Sequence, residues 1–173
     1  MPTPHLERFE ALVLPYLDDA YTLACYLLRN EQDAQDVVQD ASLRAFRYFD
    51  GYRGGDVRAW FLAIVRNCCF TWQRKQKADA SIAALTPDIV FAVPEPEPAD
   101  ATAIAHSERD AINRAMAELP LEFREVIVLR EIQGMSYAEI GSVTGVPAGT
   151  VMSRLSRARR KLASLLGNSR EAL

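Results

Sequence analysis

Residues 136–166, SYAEIGSVTGVPAGTVMSRLSRARRKLASLL, decide how this chain is read. Ser136 stands three residues before Glu139, the spacing at which two side chains cap each other's end of a helix start. A short helix over 137–143 then puts Tyr137, Ile140 and Val143 on one side. Gly145 supplies the permissive backbone of a tight turn. After Pro147 and Gly149 a second helix begins, with Val151, Leu155, Ala158, Leu162 and Leu165 recurring at three- and four-residue steps. Two helices joined by a short glycine-containing turn form a helix-turn-helix. The outer arc of the second helix carries Thr150, Ser153, Ser156, Arg154, Arg157, Arg159, Arg160 and Lys161, with no acid between 152 and 161. Such a helix fits a DNA major groove, short polar side chains and arginines meeting base edges and phosphates. The plainer reading of the same residues is a solvated basic face.

The rest of the chain sets bounds on that reading. Its 173 residues suffice for one or two small domains, and 49% of them are apolar. No uninterrupted apolar run reaches the length of a membrane span, and no signal-peptide core is present, so a cytoplasmic protein is expected. Cys25, Cys68 and Cys69 are an odd number and lack metal-ligand spacing with His5 or His106, which predicts buried thiols and no metal site. The net charge of −3 hides a segregation. Residues 1–77 carry ten acids and ten bases, 78–107 five acids and no base, and 108–173 eight acids and ten bases. Local fields of this kind matter more than the sum.

Periodicity predicts helices throughout. Residues 5–28 form an apolar helical run with a break at Pro15, and 31–49 a helix burying Ala34, Val37, Val38, Ala41, Ala45 and Phe49. Asp33, Asp36 and Asp40, with Gln39 beside them, share one face. Metal binding there lacks a second ligand cluster. A solvated face, helped by Asp40 and Arg44 at i, i+4, stands beside a docking surface for a basic partner. Residues 50–56, DGYRGGD, are turn chemistry exposing Tyr52 and Arg53. The next helix, 57–77, has an apolar side with Val57, Trp60, Phe61, Ile64, Val65, Cys68 and Trp72. Its other side carries Arg58, Arg66, Asn67, Phe70, Thr71, Arg74 and Lys75. An aromatic among cations suits single-stranded nucleic acid, bases stacking on the ring; packing of Phe70 against a neighbouring helix explains it equally. Residues 78–107, proline-rich and acidic, are expected to be a linker with a docking patch at Ile89, Val90 and Phe91. Helices resume over 107–118 and 121–133 and end at Gly134.

Taken in order, DAQDVVQDASLRAF (33–46), WFLAIVRN (60–67) and LPLEFREVIVLREIQGMSYAEIGSVTGVPAGTVMSRLSRARRKL (119–162) resemble the extracytoplasmic-function (ECF) group of the bacterial sigma-70 factors. The resemblance implies an all-α chain of two small helical domains: a region 2-like domain over 1–77, a flexible linker over 78–107, and a region 4-like helix-turn-helix domain over 108–173. It implies binding to core RNA polymerase, through the β′ clamp helices for Asp33, Asp36, Gln39 and Asp40 and through the β flap for the surroundings of the helix-turn-helix. Tyr52, Arg53, Arg66, Asn67, Phe70, Thr71, Arg74 and Lys75 would hold the opened −10 strand. Thr150, Ser153, Arg154, Arg157, Arg159, Arg160 and Lys161 would read the −35 element. An anti-sigma protein is the expected regulator. Three positions depart from the family's habit: Met152 where many members carry Lys or Arg, Thr71 where an acid is common, and Gly141 where alanine is usual.

No catalytic constellation, phosphate loop or cofactor motif is present, so the chain reads as a binding subunit and not an enzyme. Two rival readings share its motifs. A stand-alone helix-turn-helix regulator leaves the acidic helix and the Phe70 face unexplained. A sigma-like decoy that sequesters an anti-sigma protein has no use for a basic recognition helix.

Overall fold

The computed structural model describes residues 3–80 and 103–171, and all its regular elements are helical. Helix α1 (Pro4–Val13) is capped by the Thr3 hydroxyl, and a 3₁₀ turn at Leu14–Tyr16 divides it from α2 (Leu17–Leu28). That break falls at Pro15, which cannot donate to a continuous ladder. Arg29, at φ 57°, ends α2 in the left-handed conformation, and the Asn30 side chain accepts from the Asp33 amide 2.9 Å away to start α3 (Glu31–Tyr48). After the glycine turn, Asp56 Oδ1 accepts from the Ala59 amide at 3.0 Å and opens α4 (Val57–Ala80). The chain resumes with α5 (Ala103–Glu118), followed by α6 (Leu121–Ile127), α7 (Tyr137–Thr144) and α8 (Ala148–Glu171).

Two differences from the sequence reading have local causes. Helix α5 begins at Ala103, four residues before the expected start at 107, because Ala103, Ile104 and Ala105 favour helix and no breaker follows. The helix expected over 121–133 is α-helical only to Ile127. Over Val128–Ile132 it widens, the Gln133 amide bonding the Val128 carbonyl five residues back at 3.0 Å. The Ile89–Phe91 patch lies outside the described residues, as does 81–102 of the expected linker.

The core begins where α2, α3 and α4 pack on one another, burying Leu23, Ala24, Leu27, Val37, Ala41, Phe61, Leu62 and Val65. The run Pro4–Leu28 is apolar and long enough to cross a membrane on composition alone. Here Phe9, Val13, Ala20, Leu23, Ala24 and Leu27 from it are core residues, which accounts for its apolarity. A second layer forms where α6 and α7 pack on α8, around Val126, Leu129, Ile140, Val143, Val151, Leu155 and Ala158. The layers are not apart. Helix α4 lies along α7 and α2 along α6, and one buried cluster runs through both.

All three cysteines are buried and free. Burial pushes the Cys25 thiol up to about 11 and raises Cys69 further. Thiolate is the nucleophile, so these groups are inert core members at neutral pH.

Candidate nucleic-acid interface

The capping box that opens α7 is complete: the Glu139 amide donates to Ser136 Oγ at 3.2 Å and the Ser136 amide to Glu139 Oε2 at 2.6 Å. Those bonds hold the Glu139 carboxyl below the usual carboxylate range. Gly145, at φ 74°, ends the helix, and its amide reaches the Gly141 carbonyl. The chain then turns directly into α8. The angle of the turn depends on Gly141, where an added Cβ would stand 2.8 Å from the Val146 carbonyl oxygen. In an open helix, Gly→Ala gains about 1 kcal/mol. Here the contact reverses the sign. Gly141→Ala is expected to lower the melting temperature by about 2–4 °C, a net loss near 1 kcal/mol, measured by circular dichroism. A rise would show that the turn yields freely.

Val151, Leu155 and Ala158 anchor α8 in the core, which turns its other side to solvent. Thr150 is half-buried at the entry, and Ser153 donates to the Thr150 carbonyl at 3.0 Å. The five cations divide into two sets. Arg159 Nε pairs with Glu131 Oε1 at 2.8 Å, and Arg154 approaches Glu125 at 3.7 Å and Glu122 at 3.9 Å. Arg157, Arg160 and Lys161 are exposed and make no ion pair among the described residues. Met152, also exposed, interrupts the cationic face near its start.

The second candidate surface lies on α4 and the turn before it. Asn67, Thr71, Arg74 and Lys75 are exposed, as is Arg53. Tyr52 is not a free ring: its hydroxyl donates to the Gly55 carbonyl at 2.6 Å, and it stacks on Phe49 beside Trp60. Gly54 and Gly55, at φ 94° and 98°, make this hairpin of chain possible. Arg66 lies 4.1 Å over the Phe70 ring, so the predicted interleaving of cation and aromatic is a direct cation–π contact. The same guanidinium donates to both oxygens of Glu125, at 2.6 and 3.1 Å.

On α3, Asp36, Gln39 and Asp40 are exposed and Asp33 half-buried. Asp40 pairs with Arg44 at 2.8 Å, the helical ion pair expected, and Gln32 donates to Asp36. Leu43 and Tyr48, both 62% exposed, extend this surface with apolar area that sequence reasoning left out.

Three further residues, Arg124, Glu125 and Gln133, escaped the sequence reading, and together with Arg58 they tie the two layers together. Arg124, 6% exposed, donates to the carbonyls of Met116, Ala117 and Leu119 and, across the divide, to that of Tyr26 at 3.1 Å. Burial, with Arg29 nearby, brings its guanidinium down to about 10, still charged at neutral pH. Glu125 is fully buried, and burial raises its carboxyl despite the pull of Arg66 and Arg154. Gln133 donates to the Asp19 carbonyl at 2.7 Å, and Arg58 bridges Asp19 Oδ2 and the Gln133 carbonyl, both at 2.8 Å. A signal was present: a helix buried on every side must pair whatever charge it contains.

Residues 12–78 match the family model for sigma-70 region 2, and residues 109–162 the model for sigma-70 region 4, together more than half of the chain. The chain belongs to the ECF group of the sigma-70 family. As a member, this sigma factor is a transcription-initiation protein. It is 35% identical over 163 residues to the ECF RNA polymerase sigma factor SigE of Mycolicibacterium smegmatis, a match covering 93% of this chain and 62% of that one. SigM of Mycobacterium tuberculosis is also 35% identical, over 92% of this chain and 77% of that one. Among solved structures, the sigma factor RpoE of Bartonella quintana, in complex with the anti-sigma factor NepR, superposes with a TM-score of 0.79 at 26% identity. That superposition covers 93% of this chain and 98% of the other, more than either layer alone supplies.

Proposed function

We propose that this sigma factor binds core RNA polymerase and directs initiation by gripping a promoter at two points. Residues 1–77 act on the −10 element and residues 108–173 on the −35 element, with 78–107 as connection. The observation that carries the reading is α8: a helix anchored by the capped α7 turn, its outer side offering Arg157, Arg160 and Lys161 without carboxylate partners among the described residues. Phosphate contacts from these cations position the helix in the major groove, and Thr150, Ser153 and Arg154 at its start reach base edges. On α4, Phe70 supplies a ring for an unstacked base, with Asn67, Thr71, Arg74 and Lys75 beside it and Tyr52 and Arg53 on the adjoining loop. The exposed Asp36, Gln39 and Asp40, with Asp33 at their edge, dock on the β′ clamp helices, and the helix-turn-helix domain meets the β flap.

The work is binding and strand separation; polymerase makes every bond in the RNA, so this subunit is no enzyme and needs no cofactor. The cytoplasm is where such a subunit meets polymerase and DNA. An anti-sigma protein as partner is supported by the B. quintana relative, solved with one.

The test is run-off transcription with purified core polymerase on a pool of genomic promoters. Discrete starts that require this protein are the expected result; their absence overturns the reading. Asp36→Arg combined with Asp40→Arg places two cations where two acids stood, and like charges at a docking surface cost several kcal/mol. Affinity for core, read by fluorescence anisotropy, should fall at least about tenfold while the melting temperature holds. Unchanged affinity favours the stand-alone regulator.

A further inference from the structure

The basic helix holds one of its cations back. Arg159 Nε donates to Glu131 Oε1 at 2.8 Å, and its Nη2 donates to the same oxygen. The two side chains are 49% and 47% exposed, so the pair stands at the edge of the surface assigned to duplex DNA. Helical phase explains why this cation is the one taken. Arg159 follows buried Leu155 by four residues and lies about 40° round α8 from it, whereas Arg157 and Arg160 lie about 160° and 140° away. Those two therefore point outward, and Arg159 lies on the flank, against the segment that carries Glu131. On the other flank Arg154 stands 3.7 Å from Glu125 and 3.9 Å from Glu122, too far for a hydrogen bond. Among the described residues, Glu131 is the one acid hydrogen-bonded to a cation of α8.

Glu131 is itself fixed from behind. Its neighbour Arg130 donates to the Met135 carbonyl at 2.7 Å and lies 4.8 Å over the ring of Tyr137, the first residue of α7. The bonds to Glu131, aided by Tyr137, hold the Arg159 guanidinium above its ordinary value. One braced segment thus sets where α7 begins and how far α8 can roll about its own axis. Roll matters because the two kinds of DNA contact differ in tolerance. A cation on a phosphate binds any sequence, while Thr150 and Ser153 reach particular base edges only when the helix face is turned correctly. A released arginine on the flank would add a phosphate contact of its own, which strengthens binding everywhere and selects nothing.

We propose that Glu131 is a specificity-determining residue: by holding Arg159 it fixes the roll of α8 and keeps that arginine off the phosphate backbone. Glu131 acts through Arg159 as a positioning residue, and Arg159, grouped with the −35 contacts on sequence, works from the flank and not on the DNA. The proposal rests on the reading of α8 as a duplex-binding helix.

The test measures discrimination, the ratio of affinities for a preferred duplex and for the same duplex with its recognised bases scrambled. The preferred duplex is the one enriched from a random pool by the full-length protein, bound to core polymerase, or free should core prove not to be its partner. Fluorescence anisotropy gives both affinities at about 0.2 M salt, and the slope of log affinity against log salt. Glu131→Ala should bind the scrambled duplex about threefold tighter, steepen the slope by about 1 and lower discrimination about tenfold. Arg159→Ala should lower discrimination by a similar factor with no change of slope, because that arginine meets no phosphate in the wild-type protein. The double variant should match Arg159→Ala alone, since the acid acts only through that arginine. An exposed ion pair contributes little to stability, so all three melting temperatures should stay within about 4 °C of wild type.

Unchanged discrimination in Glu131→Ala overturns the proposal, even when run-off proves the protein a sigma factor. So does a slope that falls by about 1 in Arg159→Ala, which would make that arginine a phosphate contact, or a double variant that differs from Arg159→Ala. Should the protein enrich no duplex with or without core, the reading of α8 fails, and with no choice left for Glu131 to determine the proposal falls with it.

Discussion

Arg124→Met should unfold about 6–12 °C below the wild-type protein, a loss near 3 kcal/mol, when melting is followed by circular dichroism. Methionine fills a similar volume, so the change isolates the guanidinium. Two effects oppose each other. Removing a cation that burial has brought down to about 10 relieves its desolvation, which favours the variant. Against that, the carbonyls of Met116, Ala117, Leu119 and Tyr26 all lose the guanidinium, and only that of Met116 is shown to keep another donor, the Leu119 amide at 3.2 Å. Each buried acceptor left unpaired costs about 1–3 kcal/mol, so the carbonyls win. Met116 and Ala117 are in the last turn of α5, whose carbonyls have no partner within the helix, and a cation there also meets the negative end of the helix dipole. Arg124→Lys should recover little, since one ammonium cannot reproduce the planar fork that reaches four oxygens. An unchanged melting temperature for Arg124→Met would mean that water takes over those oxygens at no cost.

The second large effect concerns DNA. Arg157→Ala with Arg160→Ala should weaken polymerase-bound recognition of a −35 duplex by about tenfold or more at 0.2 M salt, and lower the slope of log affinity against log salt by about 2. Both side chains are exposed and make no ion pair among the described residues, and only the long 3.5 Å bond from Arg160 Nε to the Ser156 carbonyl is lost, so the stability of the double variant should match wild type. The slope is the decisive readout: a mere change of fold would weaken binding without removing two counterions. A weaker affinity with an unaltered slope would shift the phosphate contacts to other residues.

The helix-turn-helix was legible because every local choice agrees: the capping box, the glycine at positive φ, and the apolar spacing that anchors α8 all lie within thirty-one residues. The residues of α3 and α4 were legible as faces for the same reason, helical period. What the sequence did not show is how the two layers meet. Arg66 and Glu125 are 59 positions apart, Gln133 and Asp19 114, and no periodicity within either helix links them. Phe70 shows the limit most clearly. Its neighbours suggested a stacking platform or a packed ring; in the structure Arg66 covers one face while Glu125 holds that arginine in place. The departure at Gly141 was visible as a letter, but its reason, the Val146 carbonyl 2.8 Å from where a methyl would go, needed coordinates.

The widened turn at Val128–Ile132 makes the length of its helix a fixed count. One residue in an α-helix is worth about 100° of rotation. Deleting any one of the five would restore a regular ladder, a gain for the helix taken alone. It would also swing Gln133 about 100° away from Asp19 and redirect the segment where Arg130 donates to the Met135 carbonyl and lies over the Tyr137 ring. The local imperfection is thus what sets both the heading of the chain into α7 and the phase at which the two layers mesh.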